Sequence, residues 1–152
     1  MTLTAAESIR SNWTGIFRRK GGDGTYTRLF ENLDAMQQNA LLRQIDLREW
    51  EFPVVGSFQN PDNWLILTTE RLVWSIAADP HEINVHVVRD AVADFDQLQY
   101  SGRSKLELRE LKVLTIDGGE RRIELESGPP LSGVWNILKS IGARNRARLK
   151  MA

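Results

Sequence analysis

Apolar residues recur at helical spacing in the first part of the chain, at alternate positions through the middle, and at helical spacing again at the end. Thr4 and Glu7 have the spacing of a capping box, in which a hydroxyl and a carboxylate satisfy free backbone N–H groups. Ile9, Trp13, Ile16 and Phe17 follow as one stripe, and Gly21, Gly22 and Gly24 end that helix. A second helix is predicted over Tyr26 to Gln44, with Leu29, Leu33, Met36, Ala40 and Leu41 on its apolar side and Phe30 and Ile45 at the margins.

From Asp46 the period becomes two. Trp50, Phe52 and Val54 alternate with Glu49 and Glu51, the pattern of a strand with one wet face. Asn60-Pro61-Asp62-Asn63 predicts a turn, and Trp64 to Thr68 and Leu72 to Ile76 predict a strand pair across Thr69-Glu70-Arg71. Asp79 and Pro80 mark a further turn, Ile83, Val85 and Val87 alternate again, and Val92 to Leu98 is another strand candidate before a turn at Ser101-Gly102-Arg103. Leu106 and Leu108 have one parity, Leu111 and Val113 the other, which predicts a bulge or a break near Arg109 and Glu110. Asp117-Gly118-Gly119 is a hairpin signal, Ile123 and Leu125 lie on the strand after it, and Pro129 and Pro130 stop the sheet. A final helix from Leu131 carries Leu131, Val134, Trp135, Leu138 and Ile141 on one face. Gly142 is expected to weaken it, and the chain beyond to fray.

This order resembles bacterial PH-like and GRAM-like domains. Asn63 to Trp74 is similar to their early hairpin, a leucine-threonine pair followed by two polar residues and a leucine; Leu111 to Gly119 looks like their last hairpin. The resemblance covers roughly residues 47–141. It implies an α+β fold in which a strongly curved antiparallel sheet or barrel is closed by a C-terminal helix, with Trp135 and Leu138 plugging one end, here preceded by two N-terminal helices. The expected organisation is a single domain: a helical pair over 1–45, the barrel over 46–128 and the capping helix over 131–150. The resemblance also implies a binding scaffold for lipid headgroups or protein segments, without catalytic residues. Its lipid-binding members place basic residues at the first hairpin loop to pair with phosphates. Here Gly56 to Asn63 holds Asp62 and no Lys or Arg, which argues against inositol phosphates at that site.

Composition narrows the chemistry. The chain has 152 residues, a length for one domain. Lys plus Arg and Asp plus Glu number 20 each, so total charge gives no attraction to nucleic acid, and no nucleic-acid partner is expected. There is no cysteine, hence neither a disulfide nor a thiolate metal site. No signal peptide is evident in residues 1–20, and no stretch approaches the roughly 20 apolar residues that span a bilayer, so the expected location is cytoplasmic with at most peripheral membrane contact.

No metal, cofactor or enzymatic activity is expected. His81 and His86 are the two histidines, and a five-residue gap on one strand sends them to opposite faces. Gly21-Gly22-Asp23-Gly24 follows Arg18-Arg19-Lys20 but lacks the lysine of a phosphate loop. Asp94 with Asp96, and Glu49 with Glu51, could serve acid–base work or a hard cation, but they fit a solvated sheet face better.

Charge is unevenly placed. Between Asp46 and Asp96 ten acids face three bases, Arg48, Arg71 and Arg89, while Lys139, Arg144, Arg146, Arg148 and Lys150 stand after Ser127 with no acid. Solvated surfaces account for both. Read as sites, Glu49, Glu51, Asp94 and Asp96 are the candidate contacts for a basic protein partner, and Arg144, Arg146, Arg148 and Lys150 a tail for an anionic one. The leading expectation is a non-enzymatic protein-interaction module. The alternatives are an immunity protein that inhibits a bacterial toxin through charge complementarity, and a peripheral lipid binder.

Overall fold

The computed structural model describes residues 2–93 and 107–151. It is an α+β protein. Helix α1 spans Leu3–Lys20, β1 Thr27–Leu29 and α2 Ala35–Leu42; β2 Pro53–Asn60, β3 Asn63–Thr68, β4 Arg71–Ile76 and β5 Asp79–Asn84 follow. Then come β6 Val88–Val92, β7 Glu110–Thr115, β8 Glu120–Glu124 and helix α3 Pro129–Met151.

Strands β1 to β5 form one antiparallel sheet in sequence order, and β6, β7 and β8 a second. The expected strongly curved barrel is not formed. After β5 the chain tightens into a 3-10 turn at Val85–Val87, and β6 pairs with β7 instead of continuing the first sheet. The ladder therefore breaks there, and no strand pairing among the described residues joins the two sheets.

The N-terminal helical pair is also corrected: one helix precedes the first strand. The Glu126 carboxylate accepts the backbone N–H groups of Thr25, Tyr26 and Thr27 at 2.7, 2.7 and 3.0 Å. Asp23 accepts from Leu29 N and the Asn32 side chain, both at 2.8 Å. These bonds hold the segment extended, so β1 forms where helical periodicity predicted a helix. Phe30–Asn32 makes one 3-10 turn, and Ala35–Leu42 is the α-helical remnant, opened by an Asp34–Gln37 capping box, with Met36 exposed. At α1, Thr2 and not Thr4 is the N-cap, accepting from Ala5 N at 3.1 Å.

The apolar run Trp64 to Thr68 is buried on both faces, which is why it does not alternate. Trp64, Ile66 and Val73 pack with Leu33, Leu41 and Ile45 on the α2 side. Leu65, Leu67, Leu72 and Trp74 face the main core with residues of α1, α3 and the second sheet. The turn expected at Asp79-Pro80 lies earlier, at Ala77 and Ala78, whose φ angles are 50° and 66°. Of the parity change before Leu111, Leu106 lies outside the described residues; Leu108 is buried outside a strand, and β7 starts at Glu110. The Asp117-Gly118-Gly119 hairpin forms, with Gly118 at φ 89° and Gly119 N donating to Asp117 at 3.0 Å.

Helix α3 continues through Gly142 to Met151. Glycine is required there because α3 crosses β6 at contact distance: a Cβ on Gly142 would overlap the Arg89 carbonyl. Gly133 likewise lies under the Phe17 ring of α1. Val134, Ile137 and Leu138 are fully buried, while Trp135 is half-buried and donates from Nε1 to Ala91 O at 2.8 Å. Among the described residues, no helix is long and apolar enough to cross a membrane.

Candidate functional site

A groove of about 350 Å³ opens between α1 and α3. Helix α1 contributes Ile9, Asn12 and Trp13, residues on one side of the helix. Helix α3 contributes Ser140, Arg144 and Arg148 at four-residue spacing, with Ile141 and Asn145 beside them. Thr69, Val85 and His86 complete the wall from the sheet side. Trp13, Val85 and Ile141 make part of it apolar, and among the described residues no carboxylate lines it.

The cationic wall is fixed by Asn145. This buried side chain donates to Val85 O at 2.8 Å and to Val88 O at 2.7 Å. Its own Oδ1 accepts from Arg148 Nη2 at 2.7 Å, and the same nitrogen lies 3.2 Å from His86 Nδ1. Burial first, then the charges of Arg148 and Arg144, hold His86 below the ordinary histidine pKa; Glu70 opposes them. The Arg144 guanidinium has no hydrogen-bond or ion-pair partner among the described residues. It is a free five-donor fork at the groove.

The predicted basic tail is thus a helix with divided roles. Arg144 and Arg148 reach the groove, and Arg146 is tied to Arg89 O by a short hydrogen bond. Lys150 is exposed near the helix end.

The four acidic candidates do not form the expected set. Asp94 and Asp96 lie outside the described residues. Glu49 is exposed, but the strand that was to pair it with Glu51 begins only at Pro53. Residues Arg48 to Glu51 make a turn instead, closed by Glu51 N donating to Arg48 O at 3.1 Å. Glu51 is 3% exposed and is not a surface contact. Arg71 Nε and Nη2 reach its two oxygens at 2.8 and 3.0 Å, and Thr68 Oγ1 donates to it at 2.6 Å. Burial alone would raise this carboxyl, but bonds from Arg71, Thr68 and Arg48 N outweigh it and hold the pKa below the ordinary value.

The two histidines lie apart. His81 stacks on Trp74 with ring centroids 5.2 Å apart and sits 3.2 Å from Asp79. Among the described residues, no three His, Asp or Glu side chains converge as a metal site would require.

Sequence reasoning missed Asn145 and His86 as parts of one site. Asn145 did carry a signal: it continues the buried series Val134, Leu138, Ile141 by one more turn, inside an otherwise charged run. No protein-family model, curated protein or solved structure matches this chain.

Proposed function

We propose that this protein is a non-enzymatic protein-interaction module that grips an anionic feature of its partner in the groove between α1 and α3. The observation that carries this reading is Arg144, a guanidinium in a concave site with no hydrogen-bond or ion-pair partner among the described residues. Arg148 is held one helical turn away by Asn145 and His86. The held Arg148 guanidinium loses less freedom on pairing with an oxyanion than a mobile one would, and arginine is a frequent anchor of interfaces.

The reading as a toxin inhibitor with an acidic face loses a contact, since Glu51 is committed to Arg71 inside the protein. A photo-crosslinker at Ser140 tests the proposal. The wild-type chain should capture a partner, and Arg144→Glu/Arg148→Glu should lose it at an unchanged melting temperature. Equal capture by both rejects the groove as the binding site.

A further inference from the structure

We infer that the groove receives a peptide segment in which a carboxylate side chain stands beside a bulky apolar one. This rests on the reading of the groove as the binding site, and it specifies the ligand. The groove has two chemistries within one volume: Arg144 and Arg148 on the α3 wall, and an apolar floor formed by partly exposed Ile9 and the narrow exposed edges of the otherwise buried Trp13, Ile141 and Val85. A purely charged ligand would leave the apolar surface against water. A purely apolar ligand would strip water from Arg144 without giving it a partner, and an unpaired buried cation is costly. Only a ligand with both features satisfies both walls.

The charge to be met is small. Arg148 is already shared between Asn145 Oδ1 and His86 Nδ1, at 2.7 and 3.2 Å. His86 is biased to its neutral form by burial and by the two arginines. Among the described residues, that leaves one free guanidinium and one shared one, a match for a carboxylate monoanion in two-point contact rather than for a phosphate dianion. Concavity favours a peptide over a membrane. Lipid surfaces attract clusters of bases presented outward, whereas here Arg146 is tied back to Arg89 and the two groove arginines flank a cleft between helices.

The test uses the full chain and hexapeptide libraries with Glu, Gln or phosphoserine fixed at the third position and all other positions randomised. Glu should be enriched over Gln about tenfold, the gain of one charge-assisted hydrogen bond, with Leu, Ile, Phe or Trp selected beside it. Arg144→Gln should erase the Glu preference, while Arg43→Gln, at the exposed end of α2, should keep it. Equal recovery of Glu and Gln peptides, stronger recovery of phosphoserine, or no apolar selection overturns the inference. So does binding to phosphatidylserine vesicles that the selected peptides fail to displace. If the libraries fail while the Arg144→Glu/Arg148→Glu variant still loses cross-linked capture, the ligand class is wrong and the site stands. If capture also survives that variant, both readings fall.

Discussion

Glu51 and Arg71, 20 residues apart in sequence, meet as a two-point ion pair inside the protein, with side-chain exposures of 0% and 10%. The pair fastens the loop before β2 to the β3–β4 turn. Arg71 Nη2 also donates to Asp46 O at 2.6 Å, and Thr68 Oγ1 ties the same turn to Glu51. Removing Glu51 leaves the Arg71 guanidinium with only the half-exposed Glu82, at 3.0 Å, as a charged partner, so Glu51→Ala should cost about 3 kcal/mol in denaturant unfolding. The combined Glu51→Leu/Arg71→Met variant should cost less than the two single changes added together, because it strands neither charge.

Acid should unfold the protein at a pH set partly by two carboxyls. Burial pushes Glu126 up, but the N–H groups of Thr25, Tyr26 and Thr27 outweigh it, and its pKa, like that of Glu51, is held below normal. A depressed folded pKa contributes stability that is fully present above the unfolded value, about 4.3 for glutamate, and is lost as pH falls through the folded value. Denaturant midpoints followed downward from neutral pH should drop in that window. Glu126→Gln should lower the neutral-pH midpoint and flatten the acid limb.

His86 gives the proposed ligand site a pH response of known sign. Its pKa is lowered by burial and by Arg148 and Arg144, against the pull of Glu70, which itself pairs with Arg48 at 3.5 Å. A carboxylate bound beside it favours the protonated ring. Peptide affinity should therefore rise as pH falls below the ordinary histidine value of about 6.5. His86→Asn should remove that rise.

Trp50 stands 40% exposed at φ 63°, a left-handed conformation uncommon for a bulky residue. Trp50→Gly should relieve about 1–2 kcal/mol of backbone strain and raise the melting temperature. Trp13→Gly, made in the buried stripe of α1, should lower it sharply.

The elements that sequence located well are those governed by neighbours in sequence: the α1 stripe, the Pro61-Asp62 and Gly118 turns, and the buried face of α3. Those it misplaced are governed by distant partners. Tyr26 to Leu29 has helical periodicity, yet a carboxylate about a hundred residues away holds its N–H groups in an extended path. Glu51 alternates with apolar residues and so reads as solvent-facing; Arg71 draws it inward. The groove cations were legible as a basic run, but the division of roles depends on which helix face meets β6. That meeting is fixed by Gly142 and Asn145, residues whose roles appear only once α3 is docked.

The same docking gives α3 a protective role. Among the described residues, strand β6 is the outer member of its sheet, and an outer strand ordinarily offers its unpaired carbonyls to any passing chain. Here the carbonyls of Val85, Val88, Arg89 and Ala91 are claimed by Asn145, Arg146 and Trp135. The helix takes the place of a neighbouring strand, and its tightest approach, at Gly142, leaves no room for one. Prying α3 away would therefore uncover a ready template for edge-to-edge association, so a helix that forms one wall of the ligand groove also guards the protein against self-assembly.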